Sequence, residues 1–196
     1  MSAKMSKTRK MVVTAMLSAL AAALMFFSFG VPLMPSYIKM DFSELPALIA
    51  SFSIGPVSGA AVCLVKNLIN LPFSSTSGVG ELSNFLLGCM FVVPAGIVYK
   101  HMKTRKGAFI GSLIGAFCMA VLSLATNYFI VYPAYSVFLP MEAIIDMYKV
   151  LNSSADTLIK GLIIFNMPFT FIKGMVNVII TFVIYKKISP IIKGNS

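Results

Sequence analysis

The chain has 196 residues, 16 Lys and Arg against 6 Asp and Glu, one His, and a formal net charge of +10. Charged residues make up 11% and hydrophobic ones 58%, against about 25% charged in a soluble domain, and the mean hydropathy is +0.90. That balance excludes a soluble enzyme, a disordered chain and a disulfide scaffold, and leaves a polytopic membrane protein.

Lys4, Lys7, Arg9 and Lys10 precede residues 11–38, which carry no charge. The run exceeds the about 20 apolar residues that span a bilayer. A cleaved signal has an apolar region of only about 7–15 residues, so a retained first helix is expected over 11–30. An outer loop follows over 31–42. The stretch from Leu45 to Leu71 is split at Ile54-Gly55-Pro56, a helix-breaking dipeptide, into helices over 43–54 and 57–72. Charge parity asks for that split. The basic clusters Lys4–Lys10 and Lys100–Lys106 lie on one side of a membrane only if an even number of crossings separates them.

Residues 82–99 are again uncharged and predict a helix over 81–99. Residues 107–141 are uncharged but too long for one straight span, so a helix over 107–130 is expected, with Pro133 opening an apolar outer loop over 131–160. The last run, 161–185, contains a single charge, Lys173, and predicts a helix over 161–186.

Eleven of the sixteen basic residues fall in three short clusters beside apolar runs, the third being Lys186, Lys187 and Lys193. Clusters so placed follow the positive-inside rule and are not a nucleic-acid surface. The expected fold is all-α: a single domain, 1–196, forming a six-transmembrane-helix bundle in the plasma membrane with both termini cytoplasmic. No internal repeat is visible, so a complete inverted-repeat carrier is unsupported.

Cys63, Cys89 and Cys118 lie in apolar stretches without C-x-x-C spacing and read as buried small side chains. A lone His101 gives no imidazole metal site, so no metal and no cofactor are expected. There is no phosphate-binding G-x-x-x-x-G-K-[ST] loop, H-E-x-x-H or G-x-S-x-G, and catalysis is not expected.

Ionisable groups within a membrane are costly, and three stand out: Lys66, Glu81 and Lys173. Asn166, Thr170, Lys173 and Asn177 recur at i, i+4, i+7 and i+11, one stripe facing the bundle interior. Such a stripe either hydrogen-bonds helices together, with Lys173 paired to an acid such as Glu81, or lines a ligand site. Glu81 and Asn84 share a face at the start of the fourth helix, after the small-residue loop Ser74–Gly80. That loop is either a plain turn or a backbone close to a ligand. Asn127 lies near the outer end of the fifth helix, and Lys66 reads as a structural salt-bridge partner. Ala15, Ala19 and Ala23 form a small-residue face for bundle packing or for a partner membrane protein.

Several segments resemble one family. Lys39-Met40-Asp41-Phe42-Ser43-Glu44-Leu45-Pro46-Ala47-Leu48-Ile49 is similar to the entry to the second helix in riboflavin-specific S components of energy-coupling factor (ECF) vitamin transporters. Gly78-Val79-Gly80-Glu81-Leu82-Ser83-Asn84-Phe85 resembles their G-G-V-G-E-L-x-N-F stretch, with Ser77 for a glycine. Lys66-Asn67 matches their third helix, and Pro168-Phe169-Thr170-Phe171-Ile172-Lys173-Gly174 their P-F-N-x-I-K-G motif. Ala15-x-x-x-Ala19 matches their first-helix A-x-x-x-A.

The resemblance implies a substrate-binding subunit that captures riboflavin outside. It would work with an EcfT-type transmembrane coupling subunit and two cytoplasmic ATPases. It implies that Lys173 and Asn127 hydrogen-bond the flavin, and that Gly78, Val79, Gly80, Glu81 and Asn84 line the pocket. Met40 and Asp41 belong to the loop above it. Thr170 stands where the family has Asn, and Asn166 is one turn away to compensate. Ala15, Ala19 and Ala23 become the docking face for the coupling subunit. With no Arg near the pocket, a phosphorylated flavin is expected to bind less well. The alternatives are an S component for another vitamin, a structural or assembly protein without a ligand, and a self-sufficient facilitator. Thiamine is disfavoured by the absence of Trp.

Overall fold

The computed structural model describes residues 5–32, 39–74, 76–137 and 140–193, with side chains through Tyr185. Helix α1 (Lys7–Phe26) starts where Ser6 Oγ accepts from the Arg9 amide at 3.2 Å. It begins and ends four residues earlier than expected. Residues 29–30, assigned to the helix, instead form strand β1 (Phe29–Gly30), antiparallel to β2 (Lys39–Met40). Half of the expected loop 31–42, residues 33–38, lies outside the described residues.

The break expected near Gly55 is where α2 (Glu44–Ser53) ends and α3 (Pro56–Asn70) begins. Gly55 has φ +143°, a conformation open to glycine, and Pro56 takes the first helical turn, where its missing N–H costs nothing. A 3₁₀ turn (Leu71–Phe73) closes α3. With ten residues, α2 is about 15 Å long at 1.5 Å per residue, half of the about 30 Å hydrocarbon core. All of it from Glu44 to Phe52 is buried in the bundle. It is therefore too short for a straight crossing of its own, and the second of the six expected helices is shorter than the hydrocarbon core. Five helices among the described residues are long and apolar enough to cross a membrane.

Helix α4 (Val79–His101) and helix α5 (Arg105–Thr126) pack closely along their length. A Cβ on Gly111 would sit 2.7 Å from the Ala95 carbonyl oxygen, and one on Gly115 would strike that of Phe91. Dispersion between closely approaching backbones is what holds helices together where lipid removes the hydrophobic drive. A core of Leu48, Ile49, Val62, Phe91, Val92, Ala116 and Val178 sits behind that seam.

Beyond Thr126 the expected outer loop 131–160 is largely helical. Helix α5 runs through a π turn (Asn127–Val131) into α6 (Tyr132–Tyr135). Then come α7 (Met141–Leu151) and α8 (Leu158–Gly161). A second π turn (Leu162–Asn166) leads from α8 into α9 (Met167–Lys193). In both π turns the amide closing the turn reaches back five residues, Tyr132 to Asn127 and Met167 to Leu162, and a proline follows at once, Pro133 or Pro168. A proline ring clashes with the carbonyl four residues back and leaves it without a donor. The wider turn absorbs both faults, so Pro133 does not end the helix. Helix α7 is amphipathic, with Ile144 and Tyr148 inward and Glu142, Asp146 and Lys149 on other faces.

Candidate functional site

The ends of α1, α3, α5 and the starts of α2, α4 and α9 enclose a cavity of about 410 Å³. Ligand clefts run from roughly 300 to 1,000 Å³. Its floor is ionic. Lys173 Nζ lies 2.7 Å from Asp41 Oδ2 and 3.9 Å from Glu44 Oε2, and Lys66 Nζ lies 2.8 Å from Glu44 Oε1. Ser43 links the two pairs: its hydroxyl donates to Asp41 Oδ1 at 2.5 Å and accepts from Lys66 Nζ at 2.5 Å. Two ammonium groups and two carboxylates alternate, so the buried charge sums to zero. Such a cluster survives burial only because each charge is paired and hydrogen-bonded.

Burial raises the Asp41 pKa, but the Lys173 and Lys66 ammonium groups and the hydrogen bonds from Lys173 and Ser43 outweigh it. The carboxyl is held well below its usual range. Lys173 thus pairs with Asp41, 132 residues away, and the expected pairing with Glu81 is not formed. Lys66 is fully buried as a salt-bridge partner, as its sequence position suggested.

Glu81 faces the same cavity and accepts from Ser74 Oγ at 2.6 Å and Thr76 Oγ1 at 3.3 Å. No cation pairs with it among the described residues. Asn84 makes only a 3.9 Å contact to Met25 Sδ, and Asn127 and Thr170 make no side-chain hydrogen bond among the described residues. These groups keep donors and acceptors free for a ligand. Asn166 is more engaged. Its Oδ1 accepts from Tyr148 at 2.7 Å and its Nδ2 donates to Tyr132 Oη at 3.3 Å, while the two tyrosine hydroxyls bond each other. That triad fastens α7 to the cavity lining and leaves the Asn166 amide one further N–H.

Lys173, Asn127, Thr170, Asn166, Glu81, Asn84, Gly80 and Asp41 therefore converge on one cavity from segments far apart in sequence. Gly78, Val79 and Met40 lie beside it. Gly78 caps α4 with φ +87°, Val79 packs against the Val131–Tyr132 cluster, and Met40 is buried opposite Phe29. Sequence reasoning missed Lys39, Glu44, Asn70 and the aromatic wall of Phe26, Phe73, Tyr132, Tyr135 and Phe169. Pro133 and Pro168 were the available signal for the π turns that carry Asn127 and Asn166 to the cavity.

Ala15, Ala19 and Ala23 are exposed on the outward face of α1, whereas Leu17, Ser18, Ala21 and Ala22 pack inward. Among the described residues no group of three or more His, Cys, Asp or Glu is placed to hold a metal ion.

The family model for the substrate-specific component of ECF transporters matches residues 9–185. Riboflavin transporter RibU of Staphylococcus aureus is 34% identical, over 96% of this chain and 95% of its own length. Riboflavin transporter FmnP of Bacillus subtilis is also 34% identical, over 94% of each chain. A solved S component of a bacterial ECF transporter is similar at a TM-score of 0.76 and 32% identity, covering 96% of this chain and 99% of that one. This multi-pass membrane chain belongs to the substrate-specific components of ECF transporters.

Proposed function

We propose that the chain is a riboflavin-binding S component that captures the vitamin in the cavity above Lys173 and delivers it inward. The observation that carries this reading is the cavity itself: a salt-bridged donor–acceptor floor, free amides at Asn84 and Asn127, and an aromatic wall. Isoalloxazine is flat and largely apolar with amide-like edges, so it suits aromatic walls with a few directed polar groups. Lys173 and Asp41 present a donor beside an acceptor, the complement of a carbonyl next to an N–H. Glu81, without a cation, is placed to accept from ribityl hydroxyls, with Thr170 supplying one further hydroxyl. The curated likeness to two riboflavin transporters at 34% identity supports the choice of ligand.

The remaining parts of the reading are that Ala15, Ala19 and Ala23 dock an EcfT-type coupling subunit, that two separate cytoplasmic ATPases supply the energy, and that both termini are cytoplasmic. The chain itself is not an enzyme and carries no cofactor. Short α2 then counts as the sixth crossing, which puts both termini on one side.

Riboflavin titrated into the detergent-purified chain tests the ligand by quenching of flavin fluorescence. One-to-one quenching that is lost in Lys173→Ala, with helicity unchanged, is expected. A folded chain that leaves the fluorescence unchanged overturns riboflavin and turns the search to other vitamins.

A further inference from the structure

A second cavity, of about 740 Å³, opens at the opposite end of the bundle. Helix α4 runs from Glu81 in the first cavity to Tyr99 in the second, eighteen residues or about 27 Å at 1.5 Å per residue. Its long wall is apolar: Phe52, Ala108, Phe182 and Val183. Its rim is cationic, from Lys103 and Arg105, which form no ion pair among the described residues.

None of the chain's six carboxylates lies there. Asp41, Glu44 and Glu81 line the first cavity, and Glu142, Asp146 and Asp156 belong to α7 and the segment before α8. The start of α5 also faces this rim. Thr104 Oγ1 accepts from the Gly107 amide at 3.0 Å, and the amides of Arg105 and Lys106 precede the first intrahelical bond. Deeper in the cavity wall, Thr181 is 1% exposed and its Oγ1 has no hydrogen-bond partner. A buried hydroxyl left unpaired is a cost that an added acceptor removes.

We infer that this cavity binds one anionic phospholipid, its phosphate between Lys103, Arg105 and the α5 N-terminus and its acyl chain along the Phe52–Phe182 wall. An oxygen of the lipid's glycerol-ester region accepts from Thr181. Cationic rim, helix-end amides and a lengthwise apolar wall match an amphiphile in a chain that lies in lipid, and basic pockets between membrane helices are where anionic head groups settle. A small free anion would leave the apolar wall uncovered.

Native mass spectrometry of the purified chain with dioleoyl phosphatidylglycerol, dioleoyl phosphatidylcholine or inorganic phosphate tests the assignment. One phosphatidylglycerol is expected to be retained in preference to phosphatidylcholine. Lys103→Gln with Arg105→Gln is expected to lower its retention about thirty-fold, the equivalent of about 1 kcal/mol for each basic residue. Thr181→Val, nearly isosteric, is expected to lower it several-fold with helicity unchanged. Equal retention of both lipids, no effect of these variants, or displacement by millimolar phosphate would each overturn the lipid. So would a double variant that keeps phosphatidylglycerol but no longer assembles with a coupling subunit, because the cavity would then face protein.

Discussion

Lys66→Met removes one member of the buried ionic cluster and offers the strictest test of it. The Lys66 side chain is 0% exposed and that of Glu44 is 3% exposed, so no water is placed to take over the ammonium's role. The variant leaves Glu44 and Asp41 sharing Lys173 alone, with a net buried charge of −1. Breaking a buried pair from one side costs about 3–5 kcal/mol. For a chain of this length that corresponds to a fall in Tm of roughly 6–20 °C, at 2–4 °C per kcal/mol. Glu44→Gln in the same chain restores neutrality and is expected to recover at least half of the loss. The buried thiol of Cys63 supplies the assay, since a thiol-reactive dye reports its exposure as the chain unfolds in detergent. A Tm within about 2 °C of the parent, or a double variant no more stable than Lys66→Met, would refute the desolvated cluster; the first result equals less than about 1 kcal/mol on the same scale.

Asp41 makes a pH prediction. Its carboxyl is held well below the ordinary 3.8 in the folded chain, so its contribution is complete above about pH 4 and is lost as pH falls further toward the folded value. Asp41→Asn should cost about 3 kcal/mol at neutral pH, and the gap to the parent should narrow below pH 4; a gap constant down to pH 3 contradicts the assignment. Tyr148→Phe leaves Asn166 Oδ1 without its donor, and a loss of about 1–3 kcal/mol is expected, with faster proteolysis in α7 than in the parent. Flavin mononucleotide should bind at least about tenfold more weakly than riboflavin, because Asp41 and Glu44 are neutralised by Lys173 and Lys66 while Glu81 faces the cavity with no cation paired to it among the described residues, and like charges repel at short range. Equal affinities by fluorescence titration would show that the phosphate lies outside that field.

The sequence by itself determined where the chain is helical in membrane. Charge-free runs cannot be hydrated, and backbone in lipid must satisfy its own hydrogen bonds. It also determined the Gly55-Pro56 break, because no other dipeptide there so disfavours continuation. The stripe Asn166, Thr170, Lys173 and Asn177 was legible because helical period is a local property. Its partners were not: Lys173 meets Asp41 across 132 residues, a contact only chain packing creates.

The ten-residue α2 was legible as a piece but not as one buried in the bundle, since apolar composition does not distinguish lipid from protein surroundings. Helix α7 and the extension of α5 to Tyr135 were hidden behind Pro133, which reads locally as a stop. Whether a proline ends a helix or widens one turn depends on what the next turn packs against. Here Tyr132, Tyr148 and Asn166 bond one another only once α6, α7 and the π turn before α9 are assembled. Tertiary structure therefore decided which polar groups of the stripe stay free for a ligand, because hydrogen-bonding capacity is spent first on whatever neighbours the fold provides.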